Sequence, residues 1–227
     1  MVEDKPYRHE LKYKVTYSDY LSVRNRLRTI MQPDPHARDG TYLIRSVYFD
    51  NVYDKAMREK IDGLSKREKF RIRYYNDDLS YITLEKKMKI DKLCLKYDAE
   101  ITEDEFRRIL SGDTQWMLGS SQELVKELYA KMQYQNLRPR VRVSYLREPY
   151  IYKPGNVRIT FDSRIRTTMN HEDFIHADDV CATEFSNDML MEVKYDAFLP
   201  EIIMKMIQLK GNNQDTFSKY LESRRFG

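Results

Sequence analysis

Apolar and polar residues alternate with a period of two along much of the chain. Such alternation is typical of β-strands that bury one face. It predicts eight strands, over residues 7–17, 42–49, 68–75, 80–89, 94–101, 139–147, 157–166 and 189–196. Eight strands of this length are enough to close a small antiparallel barrel.

Helical patterns lie between the predicted strands. Residues 18–31 follow a candidate N-cap at Ser18, and their apolar stripe consists of Tyr20, Val23, Leu27, Ile30 and Met31. A candidate capping box that starts at Thr102 predicts a helix over residues 103–110.

Three further helices follow from end signals in the second half of the chain. A second candidate capping box starts at Ser120 and predicts a helix over residues 121–133. Pro200 and Gly211 are typical of the start and the end of another helix. Residues 214–224 predict a short final helix.

Several predicted strands place charged side chains on one face and apolar side chains on the other. In the strand over residues 68–75, Arg71 and Arg73 share a face opposite Phe70 and Ile72. A charged strand face usually lies in solvent. Here these faces mix both signs of charge, and the opposite faces are apolar enough for helices to cover. We therefore predict an α+β fold, one domain over residues 1–227, in which an eight-stranded antiparallel β-barrel forms a tunnel with helices packed around its outside.

The interior of the predicted tunnel is strongly basic. Its basic side chains are Lys12, Arg71, Arg73, Lys87, Lys89, Lys96, Arg147, Arg158, Lys194 and Lys219, and its acidic side chains are Glu10, Glu85, Asp162 and Glu192. Ten basic against four acidic groups leave six positive charges in excess inside, whereas the formal net charge of the whole chain is +4. This distribution favours capture of a polyanion inside the tunnel and disfavours coating of DNA.

The residue types of this interior suit phosphate. Guanidinium groups clamp phosphate oxygens in pairs, and ammonium groups neutralise their charge. Carboxylates in the same place would repel phosphate unless a hard cation lies between them. The pattern therefore predicts Mg²⁺ or Mn²⁺ as the cofactor, because these ions favour carboxylate and phosphate oxygens.

Composition excludes several other classes of protein. No apolar run reaches the roughly 18 residues of a membrane helix, and the first residues form no apolar signal segment. The two cysteines, Cys94 and Cys181, are too few for a disulfide framework or a cysteine-rich zinc site. Neither the GxGxxG nor the GxxxxGK[ST] nucleotide-binding motif occurs. We therefore expect a cytoplasmic protein without a transmembrane segment, for which a membrane protein partner stays open.

Eight short motifs occur in a fixed order along the chain. They are RHELKY (8–13), SVYFDN (46–51), RIRYY (71–75), LEKKMK (84–89), RPRVRVSYLR (138–147), VRITFD (157–162), MEVKYD (191–196) and FSKYL (217–221). In this order the sequence resembles the VTC (vacuolar transporter chaperone) domain. That domain is the polyphosphate polymerase-like branch of the triphosphate tunnel metalloenzymes.

The resemblance implies metal-dependent phosphoryl transfer on a triphosphate bound inside a basic tunnel, above all polyphosphate synthesis from ATP. It implies ATP, triphosphate or polyphosphate as partners and no nucleic acid. The catalytic residues that it implies are Lys12, Arg71, Arg73, Lys87, Arg147 and Arg158. Substrate-binding residues implied by the resemblance are Lys96, Tyr145, Ser218 and Lys219, to which the inward-facing pattern adds Lys89 and Lys194.

Glu192 corresponds to the glutamate that holds the metal in this family, with Glu85 and Glu10 as further candidate ligands. Many tunnel enzymes begin with an E-x-E-x-K motif, whereas this chain has Arg8, Glu10 and Lys12 at those positions. One carboxylate is thus replaced by a cation, and we expect fewer protein ligands for each metal ion.

Three other functions remain open at the level of sequence. A tripolyphosphatase or nucleoside triphosphatase would use the same tunnel with water as the phosphate acceptor. A non-catalytic polyphosphate-binding module would need the basic residues alone, and Glu192 argues against it because a pure binder gains nothing from an acid that faces phosphate. Tyrosine-rich strands could stack bases of a nucleic acid, but the predicted tunnel is too narrow for a duplex.

Overall fold

The computed structural model describes residues 7–91, 93–168, 174–175, 189–209 and 218–225. The strands in these ranges are β1 His9–Val15, β2 Gln32–Pro33, β3 Tyr42–Asp50, β4 Lys66–Tyr75, β5 Asp78–Ile90, β6 Leu93–Ile101, β7 Arg138–Tyr152, β8 Val157–Thr168 and β9 Met189–Tyr195. The α-helices are α1 Tyr17–Leu27, α2 Lys55–Ile61, α3 Glu103–Ser111, α4 Glu123–Tyr134, α5 Glu201–Met206 and α6 Lys219–Arg225.

The strands form one antiparallel sheet in the order β1-β9-β8-β7-β3-β4-β5-β6, and the two-residue strand β2 pairs with β7. All eight predicted strands are therefore confirmed, and β2 is an addition. Among the residues that the structure describes, the edge strands β1 and β6 meet at one isolated bridge, in which Arg8, just before β1, and Cys94 exchange two backbone hydrogen bonds of 3.1 Å. We call this junction the seam. The α+β class and a tunnel-like antiparallel sheet are confirmed, whereas closure of the sheet into an eight-stranded barrel stays a prediction.

The register of the strands separates the charged face from the apolar face. Arg71 pairs with Glu85 of β5, and between Arg71 and Arg73 lies Ile72, which is fully buried on the opposite face. That outer face packs against α3 and α4 in a core that includes Phe70, Ile72, Phe106 and Leu128. The charged side chains consequently point into the interior of the curved sheet.

A second core covers the outer face on the side of β1, β8 and β9. It joins Val23 and Leu27 of α1 and Ile203 of α5 to Phe161 and Val193 of the sheet. Helices α1, α3, α4 and α5 thus pack on the outer face of the sheet, as the binary pattern predicts. Within the described residues, no helix is both long and apolar enough to cross a membrane.

Part of the interior is apolar, which the charge pattern did not predict. Ile44, Val143 and Leu190 pack there against Tyr220 of α6. The Tyr220 hydroxyl donates a hydrogen bond to Asp50, and the Arg224 guanidinium donates to Asp54 Oδ1 at 2.9 Å. Helix α6 therefore closes one stretch of the tunnel and contributes side chains to its interior.

The helix caps confirm some of the predicted starts and correct others. Thr102 and Glu105 form the predicted capping box. The N-cap of α1 is Thr16, which forms a capping box with Asp19, so the assignment to Ser18 was wrong. The capping box predicted at Ser120 is also wrong, because α4 begins after Gln122 and that residue makes no side-chain cap hydrogen bond.

The remaining helix predictions differ in detail. Pro200 is the N-cap of α5 rather than a residue of its first turn. Gly211 and residues 214–217 lie outside the described residues, and the described part of the final helix is α6. Helix α2 was not predicted.

Candidate functional site

Two cavities lie along the interior of the tunnel. Their volumes are about 370 Å³ and about 180 Å³, and Glu10, Lys87 and Cys94 line both of them. We call these three residues the waist. At the waist, the Lys87 ammonium donates to both carboxylate oxygens of Glu10, at 2.9 and 2.6 Å, and Cys94 Sγ lies 3.7 Å from Glu10 Oε2. One ion pair thus lies where the two cavities meet.

The larger cavity is lined by arginines. Arg71, Arg73, Arg147 and Arg158 all face it, together with Lys96 and Lys194. Arg158 donates to Asp34 Oδ2 at 2.6 Å and to the Tyr42 hydroxyl at 2.8 Å. A cavity of this size holds a small ligand. With Arg8, five arginines line it, and their guanidinium groups can make paired contacts to phosphate oxygens.

Glu85 lies beneath the arginines and lines neither cavity. Its carboxylate accepts a hydrogen bond from Arg71 Nε at 2.6 Å, and the Lys96 ammonium lies 2.9 Å from its Oε1. Burial raises the pKa of Glu85, but the charges of Arg71, Arg73 and Lys96 lower it well below its usual value. The ionised carboxylate therefore positions three basic side chains that face the larger cavity.

A second acidic residue, Asp162, orients the other half of the basic wall. Arg147 donates from Nε and Nη2 to the two carboxylate oxygens of Asp162, at 2.6 and 2.7 Å. The Lys219 ammonium lies 2.5 Å from the same carboxylate. The Tyr145 ring lies against both cations, 5.3 Å from the Arg147 guanidinium and 4.6 Å from the Lys219 ammonium. Asp162 and Tyr145 thus fix the positions of Arg147 and Lys219.

Glu192 lies among four basic side chains and lines neither cavity. Arg147 Nη2 and the ammonium groups of Lys12, Lys194 and Lys219 lie 3.2, 3.6, 3.6 and 3.3 Å from its carboxylate oxygens. Burial raises the pKa of Glu192, but these four cations together lower it well below its usual value. Glu192 is therefore an ionised carboxylate whose charge is already compensated.

Lys194 connects Glu192 to the waist. Strands β1 and β9 pair Glu10 with Lys194 and Lys12 with Glu192, which brings both acids to one ammonium. Lys194 Nζ lies 3.7 Å from Glu10 Oε1 and 3.6 Å from Glu192 Oε2. Burial lowers the pKa of Lys194 to about 8, although Glu192 and Glu10 oppose the change.

The smaller cavity is lined mainly by lysines. Its basic residues are Lys12, Lys60, Arg67, Lys69, Lys87 and Lys89. Ser218 and Tyr220 contribute to its wall, and Lys60 comes from α2. The two ends of the tunnel therefore differ, with most of the arginines at one end and most of the lysines at the other.

Lys69 is an interior cation that the sequence analysis did not name. Burial lowers its pKa to about 7, and the nearby charges of Lys12, Lys87 and Arg71 add to this effect while Tyr48 opposes it. The Lys69 ammonium lies 5.6 Å from the Tyr48 ring centre. The signal was present in the sequence, because Lys69, Arg71 and Arg73 follow the same alternation.

The carboxylates of the tunnel fit a divalent metal only together with phosphate. No group of three or more His, Cys, Asp or Glu residues that could hold a metal occurs in the part of the chain that the structure describes. Glu192 and Glu10 both lie beside the Lys194 ammonium and can offer one or two carboxylate ligands. Mg²⁺ is commonly held by that many carboxylates, with substrate phosphates and water completing its shell.

The predicted site residues come together in one interior. Those that line the larger cavity are Glu10, Arg71, Arg73, Lys87, Lys96, Arg147, Arg158 and Lys194. Those that line the smaller cavity are Glu10, Lys12, Lys87, Lys89 and Ser218. The others lie behind the cavity walls, namely Glu85, Tyr145, Glu192 and Lys219.

Solved structures share this fold at low sequence identity. The chain is similar to the PH1819 protein of Pyrococcus horikoshii, with 14% identity, a TM-score of 0.52, and coverage of 97% of this chain and 100% of that chain. It is also similar to a proposed adenylate cyclase from Bacillus halodurans, with 13% identity, a TM-score of 0.53, and coverage of 89% and 86%. Identities this low show the fold alone.

Comparison at the level of sequence is more specific. No curated protein matches the chain. The family model of the VTC domain matches residues 7–226, which include every strand and every residue of the two cavities. The resemblance seen in the ordered motifs is confirmed, and the chain belongs to the VTC domain family.

Proposed function

We propose that this protein transfers the γ-phosphoryl group of ATP to the end of a polyphosphate chain inside its tunnel. One observation carries the proposal: an arginine-lined cavity and a lysine-lined cavity meet at the waist. A polymerase needs places for a donor triphosphate and an acceptor chain, with their reacting ends close together. Two basic cavities with a common boundary meet this requirement.

Each side chain has a role that follows from its position. Arg71, Arg73, Arg147 and Arg158 clamp the triphosphate in the larger cavity. Lys87 lies at the waist, where the transferring group is exchanged, and Lys12 faces the acceptor side. Glu85 and Asp162 are positioning residues, because each accepts hydrogen bonds from an arginine that lines the larger cavity.

The reaction needs no covalent intermediate on the protein. A terminal oxygen of the acceptor forms a bond to the γ-phosphorus, while the bond from that phosphorus to the β–γ bridging oxygen breaks and ADP leaves. Negative charge on the phosphoryl oxygens is stabilised by fixed cations, and alignment of the reactants supplies much of the remaining effect. The interior provides both through side chains that acidic partners hold in place.

Glu192 and Glu10 are the residues that would hold Mn²⁺ or Mg²⁺. When bound, the metal would supply positive charge that neutralises part of the negative charge of the phosphate groups. Family membership supports activity on triphosphates in general, and polymer synthesis is the specific proposal.

The deciding experiment incubates the purified protein with ATP and Mn²⁺ and separates the products on a gel stained for long phosphate polymers. We expect polymer, with ADP formed for each phosphate added and little free orthophosphate. Orthophosphate without polymer would replace the proposal with a triphosphatase. Triphosphate binding by calorimetry with no product of either kind would replace it with a polyphosphate-binding module.

The metal assignment has its own test. Glu192→Ala should abolish turnover and keep triphosphate binding measured without metal, because it removes a metal ligand and none of the cationic clamp. Glu201→Ala, at an exposed carboxylate on α5, is the matched control and should behave as the unmodified protein. Turnover that survives in Glu192→Ala would show that the metal is held elsewhere.

A further inference from the structure

Lys194 occupies an unusual position between two acids. Its ammonium is within salt-bridge distance of both Glu10 and Glu192. A divalent cation that used both carboxylates would have to lie in the same gap. The ammonium and the metal would therefore compete for one place.

Lys194 has the most exposed side chain of the four cations near Glu192. Its side chain is 30% exposed and lines the larger cavity. Arg147 faces that cavity as well, but two hydrogen bonds to Asp162 hold it in place. Lys219 is buried and bound to Asp162. Both contacts of Lys194 are longer than 3.5 Å, so little is lost when it moves toward an incoming anion.

We propose that Lys194 is a built-in counter-ion that fills the metal position of the phosphate-free tunnel and gives it up only when phosphate arrives. Phosphate oxygens draw the ammonium away and at the same time supply the metal ligands that the protein lacks. Metal and triphosphate then strengthen each other's binding, and by linkage the effect is reciprocal. The inference rests on the proposed use of Glu192 and Glu10 as metal ligands and does not depend on which reaction follows.

The test measures Mn²⁺ binding in the absence of any phosphate, by the loss of the electron paramagnetic resonance signal of free Mn²⁺. Wild-type protein should bind Mn²⁺ weakly. Lys194→Met should bind it at least about tenfold more tightly, because a positive charge a few ångströms from the ion is removed. Lys194→Arg keeps the charge and should stay as weak as wild type. In Lys194→Met, Glu10 keeps Lys87 and Glu192 keeps three cations, so neither acid is left without a partner.

Two control substitutions separate the position of the charge from its mere presence. Lys126→Met removes an exposed lysine of α4 and should leave Mn²⁺ binding unchanged. Lys89→Met removes a lysine of the smaller cavity and should change it much less than Lys194→Met does. Adding Glu192→Gln to Lys194→Met should abolish the gain.

Three results would overturn the inference. They are tight Mn²⁺ binding by the wild-type protein, equal binding by wild type and Lys194→Met, and an equal gain in Lys89→Met. The wild-type measurement needs no variant, so it decides even if Lys194→Met does not fold. Because the assay contains no ATP, a negative polymer assay and a negative Mn²⁺ assay remain separate outcomes.

Discussion

Arg73 shows how single side chains are held ready in this interior. Its Nε donates to Ser46 Oγ at 3.2 Å, its Nη2 donates to the Tyr145 hydroxyl at 3.0 Å, and its Nη1 lies 3.8 Å from Glu85 Oε1. The residue is buried and faces the larger cavity. A guanidinium held by three partners loses little freedom when phosphate binds, and its binding energy is retained.

Arg73→Ala should weaken triphosphate binding by at least about 1.5–3 kcal/mol, the usual contribution of a charged hydrogen bond. Arg73→Lys should recover only part of the loss, because an ammonium cannot make the paired contacts. Isothermal titration calorimetry measures both. Arg107→Ala, at an exposed arginine of α3, is the control and should bind as wild type. Unchanged affinity in Arg73→Ala would mean that this wall does not contact the ligand.

Lys69 and Tyr48 predict that anion binding takes up protons. Burial raises the pKa of Tyr48, but Arg71, Lys69, Arg73 and Lys219 outweigh it and lower the value to about 7. The pKa of Lys69 is also about 7. Because each group affects the pKa of the other, the two titrate as a pair, and this pair gives up protons as the pH rises above about 7. A nearby anion favours the protonated form of each, so it raises both pKa values.

Tripolyphosphate binding at pH 8 should consequently consume protons, and affinity should fall as pH rises from 7 to 9. Calorimetry in buffers of different ionisation enthalpy measures the uptake. Lys69→Met should reduce it relative to wild type, since it removes one titrating group and returns the pKa of Tyr48 toward its usual value. Equal proton uptake in both proteins would contradict this prediction. Because both proteins bind the same ligand, the difference between them contains no contribution from the ligand itself.

The sequence predicted most of these residues, for a physical reason. A period of two places Arg71, Arg73, Glu85 and Lys87 on one face whatever the rest of the fold is. The contact of Glu10 with Lys87 lies beyond this rule, because it joins residues 77 positions apart on strands that are not neighbours. The position of Cys94 at the waist depends on the same closure of the sheet.

At the scale of elements, α6 contacts both the charged residues and the apolar residues of the tunnel interior. Lys219, the first residue of this short helix, reaches Asp162 and Glu192, while Tyr220 is buried against Tyr48 and donates to Asp50. The Asp50 carboxylate also accepts hydrogen bonds from the backbone around the start of α2. One buried aspartate thus joins β3, α2 and α6.

Tyr220→Phe should lower the free energy of unfolding by about 1–3 kcal/mol, because a buried carboxylate loses a donor. It should also weaken triphosphate binding, because the position of Lys219 depends on the docking of α6. Urea unfolding and calorimetry measure the two effects. Tyr134→Phe removes the hydroxyl of an exposed tyrosine on α4 and should change neither. A stable Tyr220→Phe protein would show that Asp50 does not need this partner.

Strands and helices could be predicted where one face carries an unbroken row of apolar side chains. The strands meet this condition, and so does α3 with its capping box. Helix α2 has no buried residue, and its N-cap, Asp54, lies in the left-handed region without a side-chain cap hydrogen bond. The sequence therefore shows neither an apolar stripe nor a capping motif for this helix. The helix nevertheless contributes Lys60 to the smaller cavity.

At the scale of the whole molecule, the interior opposes its own folding. The inward-facing basic groups outnumber the acids, and each is partly desolvated when the sheet curves around them. An anion inside the tunnel relieves this repulsion, and it binds the folded protein only. Stability and occupancy of the tunnel are thus linked.

Tripolyphosphate at about 100 times its dissociation constant should raise the free energy of unfolding by about 2.7 kcal/mol. Urea unfolding with and without the ligand measures the change. Arg73→Ala should show a smaller rise at the same ligand concentration, whereas Arg107→Ala should match wild type. An equal rise in all three proteins would point to binding outside the tunnel.

The small number of contacts at the seam has a consequence for ligand binding. Neighbouring strands in the sheet order pair through at least five residue pairs each. Between β1 and β6, by contrast, the described residues form a single backbone bridge, at Arg8 and Cys94. Next to this bridge, the Lys87–Glu10 ion pair connects β5 to β1. An anion that attracts Lys87 away from Glu10 would remove this ion pair, so we expect binding inside the tunnel to loosen the seam.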